Sequence, residues 1–149
     1  MGKGRKVAYV QAGWHTEITD RCKEAFAAEM KRAEWDESEI EYFSAPGSLE
    51  LPLMAKKLAR TGNYAAVCLS GLVIDGGIYR HEFVAQAVLS GIMQVSLETE
   101  VPVLSAVLTP QQFHEDEAQT RFFRDHMLVK GKELAEACTS IVETMSALG

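Results

Sequence analysis

The chain has 149 residues, 47% of them hydrophobic and 24% charged, with a formal net charge of -6 at pH 7. That balance matches an ordinary globular domain and leaves disordered, collagen-like and coiled-coil readings without support. The acidic excess argues against a nucleic-acid partner, which needs clustered Lys and Arg to meet phosphate, and the one basic cluster, Lys3 to Lys6, is short and terminal.

No apolar run approaches the roughly 20 residues that cross a bilayer, and the start leads into a short strand rather than a signal-peptide core. A cytoplasmic protein without a membrane partner is expected. Cys22, Cys68 and Cys138 are odd in number, widely spaced and free of any CxxC, so they read as buried thiols rather than as zinc ligands or disulfides.

Lys6 to Ala12 reads as a short buried strand, and Glu17 to Ala33 places Ile18, Cys22, Ala25, Phe26 and Met30 at helical spacing. Ile40 to Ser44 is a second strand, Pro46-Gly47 marks a turn, and a helix is predicted from Leu49 to Arg60. Thr61-Gly62-Asn63 stops it. The apolar run Tyr64 to Ile74 holds a third strand in its first half, Tyr79 to Glu98 is helical, Val101 to Leu108 is a fourth strand, and Val129 to Leu148 is the last helix. Strands alternating with helices predict parallel βαβ units in an open α/β sheet of about four strands, covered on both faces. No repeat, low-complexity tract or linker divides the chain, so a single domain over residues 1–149 is expected.

Ligands in such sheets bind beyond the carboxyl ends of the strands. Residues 12–15, 44–48, 70–80 and 105–110 should therefore share one edge. Within them, Gly76-Gly77 precedes a helix start, where backbone N–H groups suit an anion such as phosphate, although a tight turn alone would also explain the glycines. Neither GxGxxG nor GxxxxGK[ST] occurs. His81-Glu82 begins like HExxH, but Ala85 stands where the second ligand would be, and His114 to Glu117 reads as a solvated segment; no metal is expected. Trp14 is either core or a flat ring for stacking on a heterocycle. Glu50 is either a favourable charge at a helix start or a carboxylate for a polyol or amine.

Taken in order, Gly13-Trp14, Pro46-Gly-Ser-Leu-Glu-Leu-Pro52, Ala55 to Leu58, Gly71 to Gly76, Phe83-Val-Ala85, Gly91-Ile-Met-Gln-Val-Ser96, Val101-Pro-Val103, Val107-Leu-Thr109 and Lys130-Gly131 resemble the lumazine synthase (6,7-dimethyl-8-ribityllumazine synthase) family over nearly the whole chain. The resemblance implies a flavodoxin-like three-layer sandwich with a four-stranded parallel sheet. It implies condensation of 5-amino-6-(ribitylamino)uracil with 3,4-dihydroxy-2-butanone 4-phosphate in riboflavin biosynthesis, without a cofactor. It also implies a homo-oligomer, with sites between neighbouring subunits of a pentamer.

By that resemblance Trp14 stacks on the pyrimidine, where the family usually has Phe. Ser48 and Leu49 give backbone contacts, Glu50 holds the ribityl chain, Val73 and Ile74 line the ring pocket, Gly76 and Gly77 bind phosphate, and Lys130 lies near it. The family commonly has a catalytic His followed by an aromatic, an acid and an aromatic. Here Arg80-His81-Glu82-Phe83 puts arginine at the His position, which resembles a divergent branch associated with decamers of two pentamers. Arginine cannot act as a base at neutral pH. The expectation is that Arg80 assists phosphate loss while His81, or the substrate amine with water, handles protons.

Ser105 stands where many members have an aromatic from the neighbouring subunit. Arg124 and His126 are both candidates for a second phosphate contact, or else charges on a helix that ends before Met127. The alternative to a working synthase is a catalytically weak paralogue that binds lumazine or flavin as a scaffold; an unrelated flavodoxin-like module would be monomeric.

Overall fold

A computed structural model describes residues 5–74, 80–110 and 116–149. Four strands, β1 (Lys6–Ala12), β2 (Ile40–Ala45), β3 (Tyr64–Leu72) and β4 (Val103–Leu108), form one parallel sheet in the order β2-β1-β3-β4. Four helices join and cover them: α1 (Thr16–Arg32), α2 (Leu51–Arg60), α3 (His81–Thr99) and α4 (Glu117–Leu148). This is the flavodoxin-like sandwich that the resemblance implies. Winding from β1 outward to β2 and then back past β1 to β3 leaves a crevice at the carboxyl ends of β1 and β3.

Alternation of side chains along the strands divides the core. Val7 and Tyr9 of β1 and Ala66 and Cys68 of β3 pack under α1 and α4 with Ile18, Cys22, Phe26, Met127 and Cys138. Ala8, Val10, Val67 and Leu69 pack under α2 and α3 with Leu51, Ala55, Val88 and Ile92. Both faces of β1 and β3 are thus removed from water, which is why their sequences read as continuous apolar runs.

Helix ends follow their local chemistry. The Asp36 carboxylate accepts from Ser38 N at 3.0 Å, while Glu39 Oε1 accepts from Asp36 N at 2.7 Å, and this reciprocal cap launches β2. Ser48–Glu50 forms a 3₁₀ turn before α2, so the α-helix starts at Leu51 rather than Leu49, with Pro52 in its first turn where a missing N–H is harmless. β4 starts at Val103 because Pro102 has no N–H to pair; its carbonyl still accepts from Val67 N at 2.9 Å.

The largest difference from the sequence reading is α4, which begins at Glu117 rather than Val129 and runs unbroken through Met127. The Asp116 side chain caps it, accepting from Gln119 N at 2.7 Å. Phe123 and Met127 then pack on the α1–α4 core, so this stretch is not a separate charged helix ending before Met127. Gly131 does not interrupt the helix but makes its crossing possible. A Cβ there would collide with the Cys22 carbonyl and come within 2.9 Å of Ala25 Cβ, so α4 lies directly on the backbone of α1.

Gly131→Ala therefore tests the crossing. Crowding a backbone atom leaves no flexible side chain to yield, and overpacking of this kind costs on the order of 1–3 kcal/mol. The urea midpoint should fall accordingly; an unchanged midpoint would show that the glycine does not set the helix spacing.

Candidate active site at the carboxyl edge of the sheet

β1 leaves the sheet at Ala12, and His15 adopts the left-handed conformation (φ 56°). Its carbonyl accepts from Ile18 N at 3.0 Å and Thr19 N at 3.1 Å, so the chain reverses into α1 within three residues and leaves Trp14 at the edge, 68% exposed. The exit of β2 lies against this turn. A Cβ at Gly13 would be 3.1 Å from Pro46 O and 3.2 Å from Ala45 O.

Gly47 is extended (φ -156°), a conformation open to any residue, so its need is space. A Cβ there would sit 3.2 Å from Glu50 Oε1 and 3.2 Å from Trp14 Nε1. The indole and the carboxylate thus both reach over the same glycine. Ser48 completes the group: a Cβ on Gly71 of β3 would meet its Oγ at 2.9 Å and Ala12 Cβ at 3.2 Å. Trp14, Ser48 and Glu50, from two loops, are brought together beside the ends of β1 and β3. Leu49 points outward, exposed.

Val73 is buried and donates its N–H to Leu108 O at 2.8 Å, extending the pairing of β3 with β4; Ile74 packs against the α1–α4 core. Gly76 and Gly77, assigned above to phosphate binding, lie outside the described residues. So do His114 and Glu115.

At the start of α3, Arg80 and His81 share one carboxylate. Glu82 Oε1 accepts from Arg80 Nε at 2.9 Å and lies 2.9 Å from its Nη2, while Glu82 Oε2 is 3.4 Å from His81 Nδ1. The guanidinium carbon stands 4.9 Å from the Phe83 ring centroid, so Arg80 is held between an anion and an aromatic face. The Glu82 carboxyl is held below the usual carboxylate range by its own backbone N–H and by the Arg80 guanidinium. Glu82 carries no role in the sequence reading. Its signal is an acid two residues after an arginine at a helix start, with a histidine between them.

The remaining sequence candidates lie elsewhere. Ser105 is on edge strand β4, its Oγ accepting from Val107 N at 3.1 Å. Lys130 lies on α4 with its Nζ 3.1 Å from Glu133 Oε1. His126 stacks on Phe122, rings 6.0 Å apart and 4° from parallel, while Arg124 is exposed on the same helix. Among the described residues no hydrogen bond, ion pair or ring contact joins these four to Trp14 or Glu50. Nor, among the described residues, do three His, Cys, Asp or Glu side chains gather as a metal site, and no helix is long and apolar enough to cross a membrane.

The sequence matches known proteins over nearly its whole length. A family model described as 6,7-dimethyl-8-ribityllumazine synthase matches residues 4–146. The chain is 50% identical over 143 residues to "6,7-dimethyl-8-ribityllumazine synthase 2" of Pseudomonas syringae pv. tomato, covering 96% of this chain and 84% of that one. It is 52% identical over 141 residues to the protein of the same name from Bradyrhizobium diazoefficiens, covering 94% and 84%. It is 44% identical over 146 residues to "6,7-dimethyl-8-ribityllumazine synthase" of Rhodococcus erythropolis, covering 98% and 94%. On that match, and with the fold it implies, the chain belongs to the 6,7-dimethyl-8-ribityllumazine synthase family.

Proposed function

We propose that the chain condenses 5-amino-6-(ribitylamino)uracil with 3,4-dihydroxy-2-butanone 4-phosphate to 6,7-dimethyl-8-ribityllumazine in riboflavin biosynthesis, releasing phosphate and water. The observation that carries this reading is the convergence of Trp14 and Glu50 over Gly47, which offers a flat aromatic face beside a carboxylate. A planar pyrimidine carrying a polyol matches that pair: the ring stacks on the indole and the ribityl hydroxyls donate to Glu50. The Ser48 and Leu49 backbone borders the ring, with Val73 and Ile74 as its wall.

The second substrate is an anion with a ketone carbonyl. Its phosphate goes to Gly76, Gly77 and the Arg80 guanidinium, which stabilises charge as phosphate leaves. Condensation of an amine with a ketone also requires proton movement, which His81, or the substrate amine with water, supplies. No metal or organic cofactor enters this scheme.

In this reading residues 1–149 act as one domain of a homo-oligomer in the cytoplasm. Support comes from α3, whose Leu89, Met93 and Leu97 recur every fourth residue and stand exposed, Leu97 by 74%. A helical apolar stripe of that kind is suited to burial against further copies of itself. Assembly also gives Ser105, Lys130, Arg124 and His126 a route to the site, from the subunit next door. A pentamer, or a decamer of two pentamers, is the proposed form.

Lumazine formation followed by absorbance, against the uncatalysed reaction of the same reagents, tests the activity. Acceleration proportional to protein concentration is expected. Tight binding of a lumazine analogue without acceleration would instead mean a receptor or scaffold. Trp14→Ala should raise KM for the uracil about 5- to 150-fold, since stacking on an aromatic contributes about 1–3 kcal/mol per base. Glu50→Gln should weaken the same substrate about 10- to 150-fold, as hydrogen bonds to a charged group contribute about 1.5–3 kcal/mol.

Met93→Glu tests the assembly. Placing a charge in the middle of the α3 stripe should shift the light-scattering mass toward the monomer. An oligomer of unchanged mass would remove α3 from the interface.

A further inference from the structure

We propose that Glu82 is a positioning residue with two ligands of its own: it holds the Arg80 guanidinium until substrate phosphate displaces it, and it orients His81 through Nδ1. The inference rests on the reading of Arg80 as the phosphate contact. Its observations are geometric. One carboxylate oxygen, Oε1, takes two guanidinium nitrogens at 2.9 Å each, and the other, Oε2, faces His81 Nδ1 at 3.4 Å.

The two halves differ in exposure. Arg80 is 71% exposed and the Glu82 side chain 49%, so their pair is a solvated one, weak enough to exchange partners. A phosphate dianion offers more charge and more acceptor oxygens to the same guanidinium fork. His81 is 15% exposed, so its contact with Oε2 is the sheltered half. When phosphate takes Arg80, Oε1 is released and Oε2 remains on Nδ1. The carboxylate beside Nδ1, at 3.4 Å an electrostatic contact rather than a hydrogen bond, favours the proton on that nitrogen and leaves Nε2 as the one that exchanges protons. The same glutamate therefore opposes phosphate binding and supports proton transfer.

Those opposed roles give a test that a purely structural residue would not pass. Glu82→Gln keeps shape and removes charge. Inorganic phosphate, titrated calorimetrically into the purified protein, should then bind more tightly, by up to about fivefold, because its internal competitor is gone. The turnover number for lumazine formation should fall, by as much as about 100-fold if His81 loses its orientation. Tighter phosphate with slower turnover is the expected split.

Arg80→Ala separates the proposal from its premise. That variant should weaken phosphate, and adding Glu82→Gln to it should give no further change in phosphate affinity, since the two residues act on one site. Unchanged phosphate binding in Arg80→Ala, or none measurable in the native protein, overturns the Arg80 reading and the proposal with it. Phosphate weakened by Arg80→Ala but unmoved by Glu82→Gln overturns the release of Arg80 alone. Turnover unmoved by Glu82→Gln overturns the orientation of His81.

Discussion

The candidate site depends on how closely three strand exits approach one another at the carboxyl edge. Gly13 sits against the carbonyls of Ala45 and Pro46, Gly71 against Ser48 Oγ and Ala12, and Gly47 beneath Trp14 and Glu50. At each position a single methyl group would meet a neighbour at about the limit of contact. None of the three needs a left-handed backbone, because the only positive-φ glycine among the described residues is Gly62. They are small because the site is narrow. Loops from β1 and β2, which enter the sheet as neighbours, can therefore aim an indole and a carboxylate at one place.

That constraint also explains what was legible in the sequence. Strand and helix alternation followed from burial on both faces of the sheet, so the parallel layers needed only the apolar runs and the glycines between them, whereas the order β2-β1-β3-β4 is a structural finding. The start of α4 was not legible, because Arg121, Arg124 and Asp125 dilute the apolar period over its first turns and only Phe123 and Met127 reach the core. The role of Gly131, inside the predicted helix, was not legible either. In isolation it weakens a helix, whereas here it permits a backbone contact that no one-dimensional pattern encodes. Trp14 and Glu50 were singled out by position at the edge and by resemblance, but their meeting over Gly47 is a property of three dimensions.

Titratable groups are distributed by the same division between core and edge. Tyr9 and Cys68 lie under α1 and Cys22 on its buried face, and burial raises all three above their ordinary ranges, so each stays neutral. A buried thiol without an adjacent cation is a weak nucleophile. The interior thus carries polar atoms without reactive charge. At the edge, by contrast, Glu82 is exposed and its carboxyl is pushed toward the ionised form.

Substituting arginine at the first residue before α3 changes what that edge can do. A histidine there would combine charge stabilisation and proton exchange in one side chain, whereas arginine supplies only the first. In the proposed scheme the proton chemistry comes from a neighbour, and on a helix the next residue is rotated by about 100°. The chain meets this turn at the helix boundary, where Arg80 is extended (φ -88°, ψ 107°) and His81 is the first helical residue. Glu82 reaches back to both, so two side chains that would diverge along a regular helix are tied to one carboxylate. In the proposed scheme, this boundary lets an arginine occupy the position while the histidine beside it carries the proton chemistry.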